Sequence, residues 1–537
     1  MRFSQSSVAS VAIGLLALAT GASAVLGQHM SAMRIGPIDD DTDLDGVAGF
    51  NGWGTFDQLL DHSNPNLGTF EQRYWYGTQY WNGTGSPIYL TTPGEQDATG
   101  FNVTYTTEKR LTGLMAKTTG GAVIILEHRY WGKSSPFDVL SEKNLQYLTL
   151  DNSLKDLIYF AKNFDPPFDK TGGSHPEKAP WIFTGGSYSG ALAGWLESVE
   201  PGTYWAYYGT SAVLEAVRDM WTMFVPVIEA TPKNCSSDQQ AVIAHIDNTF
   251  TNGTAAEKSK LKKMFLLEDV EDADFGAALE TGPWLWQGTQ FYTESVQGYN
   301  EYYRFCDYIE NVFPVTNSTV VPGSEGVGLE KALAGYAKWW TESIFPGFCE
   351  SYGYAEFNGT YNTECLKALN PKNPLYTDLT VANYGQFRQW QWMLCNEPFG
   401  WWQTGAPAGQ PSIVSRLVTA EYYEKTCGFY FPSLQLQGKS VAKVNQYTGG
   451  WSNNQTTRLM QTNGELDTWK EVTVISDFRP GGPLRSTPEM PVRIVKGGVH
   501  CSDLYGNNWA VNEGVKAIAD AEVAQMAGWV EDFYKKK

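Results

Sequence analysis

Trp181-Ile182-Phe183-Thr184-Gly185-Gly186-Ser187-Tyr188-Ser189-Gly190 is the stretch that decides the fold. Its first four residues form a short β-type run, which breaks at Gly185-Gly186. The chain then continues at once into Ala191-Leu192-Ala193-Gly194-Trp195-Leu196-Glu197, which is permissive for helix. A strand that turns sharply into a helix at a Ser flanked by small residues is a nucleophile elbow. The Ser of such a turn is strained, so the residues two before and two after it must be small enough to clear the backbone. Gly185 meets that demand, and Ser189, still small, stands where a second Gly is usual.

Working outward, residues 86–92 form a β-type run ending at Pro93-Gly94, and residues 122–126, AVIIL, are continuously apolar. Such a run fits a strand buried on both faces of a parallel sheet. Helical character follows over 153–164. Past residue 450 the habit returns, with strand-like runs at 457–463 (closed by Gly464) and 490–496 (closed by Gly497-Gly498). A final helix places Val515, Ile518, Val523, Met526, Val530 and Phe533 on nearly one face. Strands alternating with helices predict an α/β fold, an α/β-hydrolase core with a mostly parallel sheet. The middle is helical, as at 257–266 and 328–345, and holds most of the cysteines. It reads as a large, mainly helical cap inserted between nucleophile and acid. The expected division is 1–24 signal peptide, 25–45 pro-segment or loose N-terminus, 46–213 core, 214–430 cap and 431–537 core.

The chain has 537 residues and a formal charge of 39 − 58 = −19. Aromatic residues make up 14%, which excludes a disordered chain. The acidic balance argues against nucleic acid and against docking on anionic lipid. Arg2, an uncharged apolar run over 8–19 and Ala22-Ser23-Ala24 have the layout of a cleaved secretory signal. Seven N-x-S/T sequons, at Asn82, Asn102, Asn234, Asn252, Asn317, Asn358 and Asn454, agree with passage through the secretory pathway. The destination is then extracellular, or vacuolar or lysosomal. Seven cysteines, none before Cys235 and none in CxxC spacing, should be mostly paired there, with one left over unless a second chain supplies a partner.

A Ser nucleophile needs a base, and the chain offers six His. In this fold the order is Ser, acid, His. His29, His62 and His128 precede Ser187, and His175 and His245 precede any plausible acid, which leaves His500. The acid should follow the strand at 457–463. Asp467 is preferred over Glu465, which lies nearer the turn apex, to orient the imidazole. The oxyanion hole needs the backbone N–H of Tyr188 and one from the loop after an earlier strand. Gly94 permits that approach, and its neighbour Glu95 brings a carboxylate toward the pocket. No HExxH motif or cluster of His supports a metal, and Gly326-Val327-Gly328 lacks the context of a phosphate loop. No cofactor is expected.

FDQLLDHSNP at 56–65, LEHRYWGKSSPF at 126–137, LQYLTLDNSLKDLIYF at 145–160 and FTGGSYSGALAGW at 183–195 occur together with NGELDTW and GGVHCSDL. This set resembles the serine peptidase family of lysosomal Pro-Xaa carboxypeptidase and dipeptidyl peptidase II, most of all the secreted acid prolyl endopeptidases of filamentous fungi. The resemblance implies cleavage after proline in peptides or proteins, an acidic pH optimum, and a triad of Ser187, Asp467 and His500. Thr468 departs from the Pro usual between the family's Asp and Trp. Proline recognition would give the aromatics work, since a pyrrolidine ring stacks well on indole. Trp469 lies two residues past the acid, and Trp390, Trp392, Trp401 and Trp402 crowd the end of the insertion. Glu95, Trp469, Trp392 and Trp402 are the substrate-binding candidates. A secreted esterase or lipase with the same triad, or an inactive hydrolase serving as a binding module, are the alternatives.

Overall fold

In the computed structural model the described residues are 52–293, 300–381, 385–434, 438–453 and 456–536, with backbone alone at 385–387. The expected signal peptide, the segment 25–45, His29 and the sequon at Asn454 lie outside them. The described residues include ten strands: β1 Gly52–Leu59, β2 Thr69–Gly77, β3 Ile88–Thr91, β4 Ala122–Leu126, β5 Trp181–Gly186, β6 Ala206–Thr210, β7 Val217–Asp219, β8 Gly400–Trp402, β9 Leu459–Gly464 and β10 Val492–Val495. Eight of them form one sheet in the order β1-β2-β4-β3-β5-β6-β9-β10. β1 and β2 pair antiparallel, as do β2 and β4, and every other pair in that sheet is parallel. This is an α/β-hydrolase sheet with its antiparallel strands at one edge.

The central strands β3, β4 and β6 are buried at every position, so their side chains need apolar partners on both faces. Along β5, Ile182 packs with Leu111, Met115, Val523 and Met526 on one side. Phe183 packs with Leu154, Phe160, Leu192 and Leu196 on the other. The helices Leu111–Thr119 and Glu513–Lys535 therefore cover one face, and Leu150–Asn163 and Ser187–Val199 cover the opposite one. In the last helix Val515, Val523, Met526 and Val530 are buried as the periodicity predicts, while Ile518 and Phe533 are half-exposed at its margin. Among the described residues no helix is long and apolar enough to cross a membrane.

Between β6 and β9 the chain leaves the sheet and builds a mainly helical insertion, with helices at Lys233–Asn252, Ala255–Met264, Glu301–Ile309, Leu329–Trp339 and Ala420–Tyr430. It also contains a two-stranded parallel ribbon of β7 and β8. Disulfides join Cys235 to Cys306, Cys349 to Cys365 and Cys395 to Cys427, all within the insertion. Cys501 is unpaired and buried beside the sheet.

Candidate active site

β5 passes into its helix with no intervening loop: the strand ends at Gly186 and the helix begins at Ser187, four residues earlier than composition suggests. Ser187 has φ of +60°, a left-handed conformation that costs energy in any residue but Gly. A Cβ on Gly185 would lie 2.3 Å from the carbonyl oxygen of Ser189, and one on Gly190 would lie 2.8 Å from that of Thr210. The small residues around the Ser are thus a steric requirement of the turn. No side chain caps the helix Ser187–Val199. Gly94, at φ of +79°, lies alongside that end; a Cβ on it would be 3.4 Å from the Tyr188 ring and 3.6 Å from the Ser189 nitrogen.

His500 and Asp467 meet above the ends of β10 and β9. Nδ1 of His500 lies 3.0 and 3.2 Å from the two carboxylate oxygens of Asp467, and Asp467 is fully buried. The Trp469 backbone N–H donates to the same carboxylate at 2.9 Å. Nε2 of His500 is buried and has no hydrogen-bond partner. Glu465, the rival acid, instead accepts from the Gly497 N–H at 2.8 Å. The loop that carries His500 also adjoins the turn that carries Ser187. Cys501 donates its N–H to the Ser211 hydroxyl at 2.8 Å, and its sulfur lies 3.1 Å from where a Cβ on Gly186 would stand. The residue after His500 thus rests on the residue before Ser187. Burial would lower the imidazole pKa, but the charges of Cys501 and Asp467 and the Asp467 hydrogen bond override it and raise it well above the ordinary value.

Glu95 is half-buried, and burial pushes its carboxyl up to about 7, against a backbone hydrogen bond and the field of His500, both of which favour ionisation. Its loop is tied down by the Ala98 N–H, which donates to Glu127 at 2.9 Å, and Glu127 pairs with Arg73 in a buried ion pair at 2.7 Å. His128 sits behind the elbow, 3.3 Å from the Tyr188 hydroxyl, and burial holds it down at about 4, hence neutral. His62 and Arg129 grip Asp156, which joins three of the motifs quoted above into one buried network.

The aromatic wall differs in detail from expectation. Trp469 is buried, with its ring 6.4 Å from that of His500, 6.1 Å from Trp401 and 6.2 Å from Trp284. Trp390 packs edge-on against Tyr188 at 5.2 Å, and Phe399 stacks on Trp401 at 4.9 Å. Trp392 and Trp402 face elsewhere. Trp392 donates to the Leu148 carbonyl and packs on Phe431, while Trp402 stacks on Tyr423 at 5.3 Å. Neighbours on a strand point to opposite faces, and residues two apart on a helix diverge by about 200°, so it is Trp401 that meets Trp469 and Trp390 that meets Tyr188. Trp401 holds φ of +54°, a rare state for a bulky residue, with its Nε1 donating to the Glu215 carbonyl at 2.7 Å. Trp284 and the cap residues beside it carry no sequence signal of their own.

Of the sequons, Asn82, Asn252, Asn317 and Asn358 are exposed and Asn234 is half-buried. Asn102 is 3% exposed, a placement with no room for a glycan. Among the described residues no group of three or more His, Cys, Asp or Glu could hold a metal.

The family model described as serine carboxypeptidase S28 matches residues 58–317 and 347–519. "Serine protease vicPa" of Bipolaris victoriae is 41% identical over 91% of this chain and 90% of its own length. "Serine protease vicPb" of the same fungus is 38% identical over 95% of this chain and 94% of its own. The "Probable extracellular serine carboxypeptidase" of Arthroderma benhamiae is 28% identical over 87% of this chain and 64% of its own.

Proposed function

Because this chain belongs to the serine carboxypeptidase S28 family and is a serine peptidase acting on peptides or proteins, we propose that it is secreted and cuts on the carboxyl side of proline, working best in acid. Ser187 Oγ attacks the carbonyl carbon as His500 Nε2 takes its proton, and Asp467 holds the imidazole by Nδ1–H. The N–H groups of Tyr188 and Gly94 receive the developing oxyanion. The imidazolium then gives its proton to the leaving nitrogen, the C–N bond breaks, and water releases the acyl group by the same steps in reverse. The observation that carries this reading is a buried His500 whose Nδ1 meets Asp467 and whose Nε2 is unpartnered, on a loop whose next residue, Cys501, rests against the turn that holds Ser187 left-handed. The insertion, residues 214–430, is assigned as the specificity cap, with Trp469, Trp401, Trp390 and Glu95 as pocket residues.

Acid activity demands that His500 lose its proton below the ordinary range, although its pKa is raised. In acid, protonated Glu95 ceases to favour the imidazolium. Substrate seated over the site removes remaining water, and desolvation lowers a His pKa further. The acid limb of kcat, which reports the complex, should therefore lie at lower pH than that of kcat/KM, which reports the free enzyme. Glu95→Gln, a permanently neutral carboxyl, should remove a limb near pH 7 and keep the acid activity.

The test compares a Pro-anilide peptide with a short-chain p-nitrophenyl ester. Preferential turnover of the anilide supports a peptidase with proline specificity. Turnover of the ester alone would make the chain an esterase, and failure of a fluorophosphonate to label Ser187 would make it a binding module.

A further inference from the structure

The insertion bonds to both turns that carry the acid and the base, and it does so from five consecutive residues, Trp286-Gln287-Gly288-Thr289-Gln290. Trp286 donates its Nε1–H to the Leu466 carbonyl at 2.8 Å. Gln287 Oε1 accepts from Trp469 Nε1 at 3.0 Å and from the Thr468 hydroxyl at 3.4 Å. Gln290 Nε2 donates to the backbone carbonyl of His500 at 2.7 Å. Its Oε1 accepts from Asn508 Nδ2 at 2.8 Å and from the Ser502 hydroxyl at 3.1 Å. One short strap thus holds 466–469 on one side and 500–508 on the other.

Gln290 is buried, and both ends of its amide are bonded, so truncation would leave several polar groups unpaired in a dry joint. His500 follows Gly497-Gly498, with Gly497 at φ of +67°, so the loop has little stiffness of its own near the base. From the sheet side it is held by the Ser211 hydroxyl on the Cys501 N–H, and from the insertion side by Gln290 on His500 itself. We propose that Gln290 is a positioning residue for the base, and that the strap 286–290 makes the alignment of Asp467 with His500 depend on how the insertion is seated. This rests on the triad reading above and adds a route by which the insertion acts on the chemistry as well as on substrate choice.

The experiment measures Gln290→Leu and Gln290→Glu against wild type on a Pro-anilide peptide across pH, normalised to titrated active sites, with Ser187→Ala as control. Gln290→Leu should lower kcat about 10- to 100-fold while KM moves less than about threefold, and fluorophosphonate labelling should slow by the same factor as kcat. In Gln290→Glu the ionised side chain has no proton to give the His500 carbonyl, whereas the protonated one has the shape and donor of Gln. Its activity relative to wild type should therefore climb as pH falls. A role confined to stability would lower the melting temperature and leave that ratio flat. Wild-type kcat in Gln290→Leu, or a flat ratio in Gln290→Glu, overturns the proposal; if the Leu variant does not fold, the ratio decides. Inactive Ser187→Ala beside unaffected Gln290 variants defeats this inference alone, whereas active Ser187→Ala defeats the triad reading itself.

Discussion

Ser187 is held left-handed by a turn whose neighbours have no room to relax, and in the proposed mechanism the chemistry starts from its oxygen. Replacing it with Ala removes the nucleophile but little packing, so hydrolysis should fall by several orders of magnitude with an unchanged melting temperature. Asp467→Asn should also cost about 10⁴ in kcat, because Asn can stabilise the wrong imidazole tautomer. Trp469 is enclosed by Trp284, Trp401 and His500, so Trp469→Ala both empties a cavity and removes ring surface. It should cost about 3–5 kcal/mol of stability and erode selectivity for Pro over Ala at the cleaved position by about 10- to 200-fold. Parallel kinetics on the two peptides and a melting curve check both. The turn at Ser187 and the contact of Asp467 with His500 were legible because chain order and local turns restrict each choice to one or two residues. Gln287 and Gln290 were not, since an amide in a helical insertion has no pattern that reveals a bond made across about 200 residues of chain.

At the scale of elements, the passage from β5 into the helix Ser187–Val199 is the tightest joint in the fold. Gly185→Ala would force its new methyl within 2.3 Å of the Ser189 oxygen, so the turn must shift. The expected result is a loss of about 1–3 kcal/mol together with most of the activity, read from denaturant unfolding and from turnover per folded molecule. β3, β5, β9 and β10 were readable from strand-like runs ended by Pro or Gly, and β4 from its continuous apolar run. β1 and β2 were not, because a half-solvated antiparallel edge mixes polar and aromatic residues; β6 was missed because Ala206–Thr210, with its two Tyr and a Gly, has no continuous apolar run. Which of the crowded tryptophans meet Trp469 and Tyr188 was not legible for a related reason: composition shows where aromatics crowd, but facing depends on helix phase and strand register, which become fixed only when β8 pairs with β7.

Across the whole molecule, several buried or half-buried carboxyls have raised pKa values. Burial pushes Asp274 and Asp307 up to about 6, Glu310 up to about 7 and Glu280 up to about 8. Unfolded carboxyls titrate near 4. Between that value and the folded ones the native state binds more protons, so this stability is complete below about pH 4 and is lost as pH rises toward 8. Asp156, which Arg129 and His62 hold low against its burial, acts in the opposite sense, below pH 4. The formal charge of −19 adds self-repulsion at neutral pH. The melting temperature should therefore be higher at pH 4.5 than at pH 8, and a curve rising toward pH 8 would refute the assignment of these groups as protonated. The most direct measurement of what the protein does is mass spectrometry of the products from a long peptide with several internal prolines, digested in acid by wild type and by Ser187→Ala. The account predicts new C-termini ending in Pro with wild type and an intact peptide with the variant. New termini scattered over other residues, or cleavage by Ser187→Ala, would contradict it.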